Sequence, residues 1–319
     1  MRYPSQNKSD QIEKLPGARR DTRIVFLNLN PLRAALRSGA LLLFLASGLL
    51  LLTIGLSSCQ KVISVDLNQT SPQIVIEGLV NDQGGMDSVV ISMTGDYFTP
   101  SLYFEPITNA SVEISDNAGD IDTLTGPGMG TYYSSGPIGV PGETYSLKVV
   151  ANGKEYDAVS TMPQKVTIDS FYEVYSGNLF GESGYDFYVT FKDPPQLGNY
   201  YRIIPHLNSV PPDSIRGGRG GIFITDDELT NGNEITFRFG IRQNRNNGST
   251  NIGPGDTVKV DLLSIDKATY DYLYTLRNII AADQSPTSLS PANPNTNLTN
   301  GSLGYFSAYA MDSKTIIIK

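Results

Sequence analysis

The stretch Tyr145–Ala158, which reads YSLKVVANGKEYDA, carries the clearest folding signal in the sequence. Tyr145, Leu147 and Val149 occupy every second position, which is the period of a strand with one buried face. Asn152-Gly153 then precedes a second run, and Asn-Gly favours the tight hairpin turn in which both residues take positive φ. The stretch therefore predicts an antiparallel hairpin and places the fold among the β classes.

Similar alternating runs precede this hairpin. They cover residues 74–80, 89–93 and 112–114, and turn residues such as Asp116-Asn117-Ala118-Gly119 separate them. A spacing of about ten residues per strand is typical of a β-sandwich. We therefore predict a β-sandwich domain over residues 72–163.

Strands rich in aromatic residues follow this domain. Over residues 185–191 and 235–241, every second residue is large and apolar. This strict period of two favours core packing of the aromatic rings over a ligand-binding platform. Residues 164–319 thus predict a second β-rich domain, and the whole chain is expected to be mainly β.

The second domain contains one substantial helix in this interpretation. The helix is predicted over 267–281, with Asp266 as its N-cap. Its buried stripe is expected to consist of Leu273, Leu276 and Ile280. Residues 285–301 follow without periodicity, as in a disordered linker. Because strand patterns come after them, a packed or functional surface loop is the favoured interpretation.

Composition excludes several functional classes. The chain has 319 residues, one Cys, one His and a formal net charge of −8. An acidic chain repels phosphate, so nucleic acid is not expected as a partner. Paired histidines and a structural zinc site require more Cys and His residues than the chain has, and no cofactor is expected.

A targeting segment lies near the N-terminus. Residues 39–56 carry no charge, and Arg33 and Arg37 precede them. This arrangement is typical of a secretory signal peptide. The alternative is a single transmembrane anchor, because about 18 apolar residues can just cross a bilayer.

The tetrapeptide Leu56-Ser57-Ser58-Cys59 resembles the lipobox read by signal peptidase II: an aliphatic residue, two small residues, then the cysteine. That resemblance implies a thioether to diacylglycerol at Cys59 and an anchor in the membrane by lipid alone. Residues 1–58 are then a signal peptide with an over-extended N-terminus, and residues 59–71 are the lipid anchor and tether. Since Cys59 is the only cysteine, the mature chain forms no internal disulfide.

Candidate catalytic and metal-binding residues are few. His206 is the only imidazole, and no Gly-x-Ser-x-Gly elbow accompanies it, so it is interpreted as a hydrogen-bonded surface residue. Carboxylates cluster at 116–122 and at 226–234. Oxygen ligands close in sequence can hold Ca²⁺, but neither cluster has the order of an EF-hand, and solvated turns are the favoured interpretation. No catalytic residue and no metal site is therefore assigned.

Two flexible, locally basic loops stand out on this acidic chain. Arg216 and Arg219 lie in a glycine-rich loop, and Arg245 lies in an asparagine-rich one. Guanidinium groups in such loops suit an anionic ligand or an acidic partner; the alternative is that they are mobile tips without a ligand. Tyr305, which follows loop 285–301, is added to these candidate ligand or partner residues.

Two resemblances refine this picture. The segment from Ala110 to Leu147, with Gly119, Gly130-Thr131-Tyr132 and Gly142, resembles transthyretin-like or carboxypeptidase-regulatory-like sandwiches, which usually serve as scaffolds. Across the mature chain, the order of Cys59, Ile74–Gly78, Ile168-Asp169-Ser170 and Gly304-Tyr305-Phe306 resembles domain of unknown function 4249. That family implies a Bacteroidota outer-membrane lipoprotein, often encoded beside a TonB-dependent receptor, with no established site residues.

Three functions are compatible with these observations. The first is a lipid-anchored outer-membrane protein, exposed at the cell surface, that acts as a non-enzymatic accessory or ligand-binding partner of a TonB-dependent receptor. The second is a structural or adhesive envelope protein without a small ligand. A hydrolase that uses carboxylates ranks last, because the sequence neither fixes their separation nor raises the pKa of one of them.

Overall fold

The computed structural model describes Gly48 and residues 71–84, 87–95, 104–136, 139–177, 183–208, 221–242, 252–283 and 292–319. Within these residues the chain forms fifteen strands and one 17-residue helix. Their bounds are β1 Ile74–Asn81, β2 Ser88–Met93, β3 Ser111–Asp116, β4 Ile121–Thr123, β5 Thr125–Gly128, β6 Thr131–Tyr133, β7 Thr144–Ala151, β8 Lys154–Thr161, β9 Ile168–Gly177, β10 Ser183–Lys192, β11 Tyr200–Leu207, β12 Phe223–Asp226, β13 Glu234–Arg242, β14 Thr257–Ile265, α1 Lys267–Asp283 and β15 Leu303–Ile317. The predicted mainly β class with one substantial helix is confirmed.

The predicted hairpin is present. Ala151 at the end of β7 pairs with Lys154 at the start of β8. Asn152 and Gly153 between them have φ values of 53° and 75°, as the tight turn requires. The local sequence therefore determines both the turn and the register of these two strands.

One large sheet organises the fold. Its eight strands lie in the order β12-β11-β14-β15-β1-β2-β6-β5. The long strand β15 joins its two halves: it pairs parallel with β1 through residues 303–309 and antiparallel with β14 through residues 310–317.

Two smaller sheets cover one face of the large sheet. The four-stranded sheet, β4-β3-β7-β8, packs on the half that contains β1 and β2, and the three-stranded sheet, β13-β10-β9, packs on the half that contains β11 and β14. Ala310 of β15 belongs to the first core, and its partner Ser264 lies two residues from Leu262, which belongs to the second core. Because side chains alternate along a strand, both cores lie on the same face. The result is a sandwich of two side-by-side sheets on one common sheet.

The aromatic strands form the second core, as predicted. Tyr185, Phe187, Val189 and Phe191 of β10 are all buried. Across the sheet, Phe187 stacks on Phe239 of β13 with a centroid distance of 5.1 Å. These rings therefore stabilise the fold by burial and offer no platform to a ligand.

The helix α1 packs on the opposite face of the large sheet. Leu273 of α1 is buried against Leu263 and Ile265 of β14. Asp266 caps the helix, since its Oδ1 accepts a hydrogen bond from the Thr269 N–H at 2.8 Å. The expected buried stripe is partly wrong: Leu273 is buried, but Leu276 and Ile280 are only half-buried, because α1 lies along part of the sheet rather than within a core.

The two predicted domains are joined more closely than their boundaries suggest. Residues 70–319 form one compact unit. The first core ends at Met162 and the second begins at Val166, close to the predicted boundary at 163/164. However, the first core also contains residues that were assigned to the second domain, namely Leu298, Phe306, Ala308 and Ala310. The reason is that β15 inserts beside β1.

The end of loop 285–301 packs on the surface, as one of its interpretations predicts. Asn297 exchanges hydrogen bonds with the backbone of Phe306, and Asn300 Nδ2 donates to the Glu155 carbonyl at 2.6 Å. Leu298 is buried in the first core. Residues 285–291 of this loop lie outside the described residues.

Candidate functional site

A small cavity lies between α1 and the large sheet. Its volume is about 60 Å³, and it is lined by polar groups of β11, β15 and α1 together with aliphatic side chains. We call it the helix cavity and define it by Arg202, Ile204, Thr269, Tyr305, Ser307 and Tyr309. Arg202, Ile204 and Tyr309 are half-buried, whereas Thr269, Tyr305 and Ser307 are buried, so the cavity has a deep end and a side that reaches toward solvent.

Tyr305 connects the charged groups of this region. Its hydroxyl donates to Glu77 Oε1 at 3.0 Å and accepts a long hydrogen bond from Arg202 Nη1 at 3.4 Å. Its ring stacks on Tyr272 of α1 with a centroid distance of 4.5 Å. Burial raises the pKa of the Tyr305 hydroxyl well above its ordinary value, so the group is a neutral donor at physiological pH.

Two hydroxyls at the deep end have no hydrogen-bond partner among the described residues. Ser307 and Thr269 are each 1% exposed, and within the described residues neither side-chain oxygen makes a hydrogen bond. A buried hydroxyl without a partner loses its hydrogen bonds to water and gains nothing in return. The helix cavity therefore contains polar groups that the protein itself leaves unsatisfied.

The strand pattern that follows loop 285–301 is confirmed at Tyr305, but the prediction of this residue as part of a ligand or partner loop is wrong. Tyr305 lies within β15 and is 5% exposed, because this strand is central to the large sheet. The other predicted site residues lie outside the described residues: Arg216, Arg219 and Arg245, the lipidation site Cys59, and the lipobox residues Leu56, Ser57 and Ser58.

No motif in the sequence indicates a role for Arg202, Thr269 or Ser307. Arg202 and Ser307 follow the second phase of the period-two pattern in β11 and β15, so each belongs to the face opposite the cores. Side chains on that face are expected to contact solvent unless another element covers them. Only the packing of α1 turns these three positions into a cavity.

His206 does not form a catalytic triad. Its Nε2 lies 2.7 Å from Asp261 Oδ2, while Ser313 Oγ donates to the other carboxylate oxygen at 2.5 Å. Lys259 adds an ion pair to Asp261. The aspartate thus stands between the histidine and the serine, whereas nucleophile activation requires the histidine in the middle.

The acidic clusters serve the fold. Asp116 Oδ1 accepts hydrogen bonds from the backbone N–H groups of Ala118, Gly119 and Asp120, which closes the β3–β4 turn. The prediction of a solvated turn is wrong for Asp227, which is 2% exposed and accepts a hydrogen bond from the Gly198 N–H. Within the described residues, no three His, Cys, Asp or Glu side chains are placed to hold a metal ion.

A second cavity, of about 110 Å³, lies beside β1 and β3 and is lined partly by Asp87, Asp120 and Asp122. Asp87 Oδ1 accepts hydrogen bonds from the backbone and side-chain nitrogens of Asn81, both at 2.9 Å. Burial raises the pKa of Asp87 from 3.8 to about 6, and the charge of Asp122 adds to this. The charged form of Asp87 is therefore disfavoured in the folded protein.

This raised pKa predicts a pH-dependent stability. The folded state binds the Asp87 proton more tightly than the unfolded state, so the free energy of unfolding falls as the pH rises from about 4 to 6. Because solvent screens part of the site, we expect the contribution to be at most about 2 kcal/mol. Denaturant unfolding between pH 3.5 and 7.5 should show a shallower decline for Asp87→Asn than for the unchanged protein. Asp120→Asn, at an exposed carboxylate of the same cavity, is the control; equal slopes in both variants would contradict the assignment.

Comparison with known proteins identifies one family. The family described as "Domain of unknown function (DUF4249)" matches residues 60–315. No curated protein matches the chain. Among solved structures, a two-domain fibronectin type III segment of chicken tenascin is similar at 12% identity, covering 61% of this chain and 91% of its own, with a TM-score of 0.19. No described helix is both long and apolar enough to cross a membrane.

Proposed function

The chain belongs to the family described as domain of unknown function DUF4249, and from that premise we propose that it is a lipid-anchored outer-membrane protein that serves a TonB-dependent receptor as a non-enzymatic accessory or ligand-binding partner. In this proposal the acyl chains on Cys59 hold the protein on the membrane. The β-sheet body then faces the receptor at the cell surface.

One observation carries the proposal. The family match begins at residue 60, directly after Cys59. A lipobox cleaved before Cys59 would release the family domain with the lipid on the residue directly before it. The start of the family match and the position of the only cysteine of the chain therefore both support a mature protein that begins at Cys59.

The arrangement of chemical groups favours binding over catalysis. The single imidazole pairs with Asp261, which separates it from Ser313, and the acidic side chains at the turns hold backbone N–H groups. In the described part of the chain, the helix cavity is a concave site with unsatisfied polar groups and without an adjacent nucleophile–base pair. These features support a binding role.

An exposed aromatic surface supports a protein partner. On the outer face of the three-stranded sheet, Tyr172 of β9 stacks on Tyr188 of β10 at 5.2 Å, and the Arg238 guanidinium lies 6.0 Å from the Tyr188 ring centroid. Tyr172 and Val174 are both 46% exposed. Tyrosine and arginine are enriched among the residues that dominate binding energy at interfaces. We call these four residues the aromatic face and propose it as the receptor-facing surface.

Co-isolation tests the partnership. The protein, extracted from outer membranes in mild detergent, is expected to bring a TonB-dependent receptor with it. Tyr172→Glu should reduce receptor recovery at least about tenfold, because a charge in a desolvated interface core costs more than 1.4 kcal/mol. Tyr274→Glu is the matched control, since Tyr274 is a tyrosine on α1 with 44% exposure.

Recovery of the protein always alone would contradict the receptor partnership. Unchanged receptor recovery with Tyr172→Glu would remove the aromatic face from the interface. A protein recovered alone, from a gene among secretion components and without a neighbouring receptor gene, would favour the structural or adhesive alternative.

A further inference from the structure

The helix cavity has an excess of hydrogen-bond donors. An arginine has five N–H donors, and within the described residues the Arg202 side chain uses one of them, in the long bond to Tyr305. The described carboxylates do not lie within 4.0 Å of its guanidinium nitrogens. Ser307 and Thr269 add two hydroxyl donors that have no acceptor in the part of the chain that the structure describes. An acceptor-rich group in the cavity would satisfy all three side chains.

These donors differ in burial, which indicates how a ligand would enter. Arg202 is half-buried, whereas Ser307 and Thr269 are each 1% exposed. A ligand would therefore meet the guanidinium near the open side and the two hydroxyls at the deep end. The desolvated hydroxyls matter most for specificity, because a buried donor that loses its partner costs more than an exposed one.

The dimensions and walls of the cavity narrow the ligand class. About 60 Å³ exceeds the minimum of roughly 10–15 Å³ that one water needs, yet it is small for an extended ligand. Leu79, Ile204 and Ile265 contribute aliphatic walls. A planar carboxylate matches the fork of an arginine, and a short aliphatic group matches these walls.

Nearby negative charge does not oppose such a ligand strongly. Glu77 accepts the hydrogen bond from Tyr305, but it is exposed and does not line the cavity, so solvent screens its charge. The neutral hydroxyl of Tyr305 separates Glu77 from Arg202. The positive charge of Arg202 is therefore the nearest formal charge to the open space.

We infer that the helix cavity binds a small aliphatic carboxylate, with Arg202 paired to the carboxylate and Ser307 and Thr269 donating hydrogen bonds to its oxygens. Tyr305 positions Arg202, and Tyr272 of α1 stacks on the ring of Tyr305. This inference rests on the ligand-binding form of the proposed function. It is tested on the isolated protein, so its failure leaves the receptor partnership intact, and failure of co-isolation leaves the cavity intact.

Titration with acetate tests the inference. The full chain, purified in detergent, is titrated at constant ionic strength with chloride as the balancing anion, and binding is followed by calorimetry and by NMR. We expect saturable acetate binding and no binding of acetamide, which has the same shape without the charge. Ser307→Ala should weaken acetate binding about tenfold, and Arg202→Gln should weaken it more, because hydrogen bonds to a charged group are the stronger ones.

A matched variant separates the ligand effect from folding. Ser264 also has a buried hydroxyl without a partner in the described residues, but it does not line the helix cavity. Ser264→Ala should leave acetate binding unchanged. Because Ser307 has no protein partner to lose, Ser307→Ala should not lower the melting temperature of the free protein.

Three results would overturn the inference. They are equal binding of acetate and acetamide, equal acetate affinity for Ser307→Ala and the unchanged protein, and the absence of saturable acetate binding by a folded protein. The third result would leave only water in the helix cavity.

Discussion

Cys59→Ala is expected to leave the protein at full length, without lipid, and absent from the outer-membrane fraction. The reason is that the thioether to diacylglycerol forms only on the cysteine sulfur, and cleavage before residue 59 follows that modification. Each buried methylene of an acyl chain contributes roughly 0.8 kcal/mol, so two or three chains hold a protein firmly. Immunoblotting of separated inner and outer membranes, together with the apparent mass, measures both effects.

Ser58→Ala is the matched control for this experiment. Alanine is also small, so the lipobox pattern is kept and processing should continue normally. A Cys59→Ala protein that is still shortened and still sediments with outer membranes would show that the anchor lies elsewhere. If residues 39–56 were instead a transmembrane anchor, Cys59→Ala would still sediment with membranes, but neither this variant nor the unchanged protein would be shortened.

Gly304→Ala is expected to destabilise the fold severely. Gly304 pairs with Ile76 where β15 meets β1, and its φ is 97°. A Cβ atom at this position would lie within 3.0 Å of three backbone atoms of Ile76, the carbonyl oxygen among them. The two strands would have to separate at the centre of the large sheet, so we expect a loss of at least about 4 kcal/mol in the free energy of unfolding.

Gly301→Ala provides the comparison that isolates the steric cause. Gly301 also has a positive φ, of 73°, but an added Cβ atom would meet nothing within 4 Å. Its loss should be about 1 kcal/mol, which is the conformational cost alone. Denaturant unfolding of both variants measures the difference, and similar losses would show that the close approach of β15 to β1 is not required.

Local sequence patterns account for the parts of the fold that depend on near neighbours. The Asn152-Gly153 turn, the Asp266 cap and the buried face of β10 each follow from residues within one hairpin, one helix or one strand. Patterns of this kind depend on backbone geometry and solvent exposure at a few consecutive positions. These local features can therefore be predicted without knowledge of the rest of the chain.

The parallel pairing of β15 with β1, by contrast, does not follow from local sequence patterns. Val75 pairs with Leu303, and no turn or period in either strand specifies such a distant partner. The pairing explains why C-terminal residues enter the first core. For the same reason, the predicted boundary near residue 163 does not separate the chain into two independent domains. The close contact at Gly304 permits this approach, but a glycine alone does not identify its partner strand.

The candidate site was only partly predictable for the same reason. The strand pattern at Tyr305 is evident from the sequence, but its burial at the centre of the large sheet is not. The alternating pattern around Arg202 and Ser307 predicts strand residues and gives no indication of a binding site. Their importance comes from α1, which covers them after the sheet has formed and leaves two hydroxyls without partners.

Mass spectrometry of the natively produced protein tests the central claim most directly. We predict that the N-terminal residue is Cys59, carrying diacylglycerol through its sulfur and an acyl chain on its amine. An intact peptide that spans Ser58 and Cys59, with a free thiol on the cysteine, would contradict it.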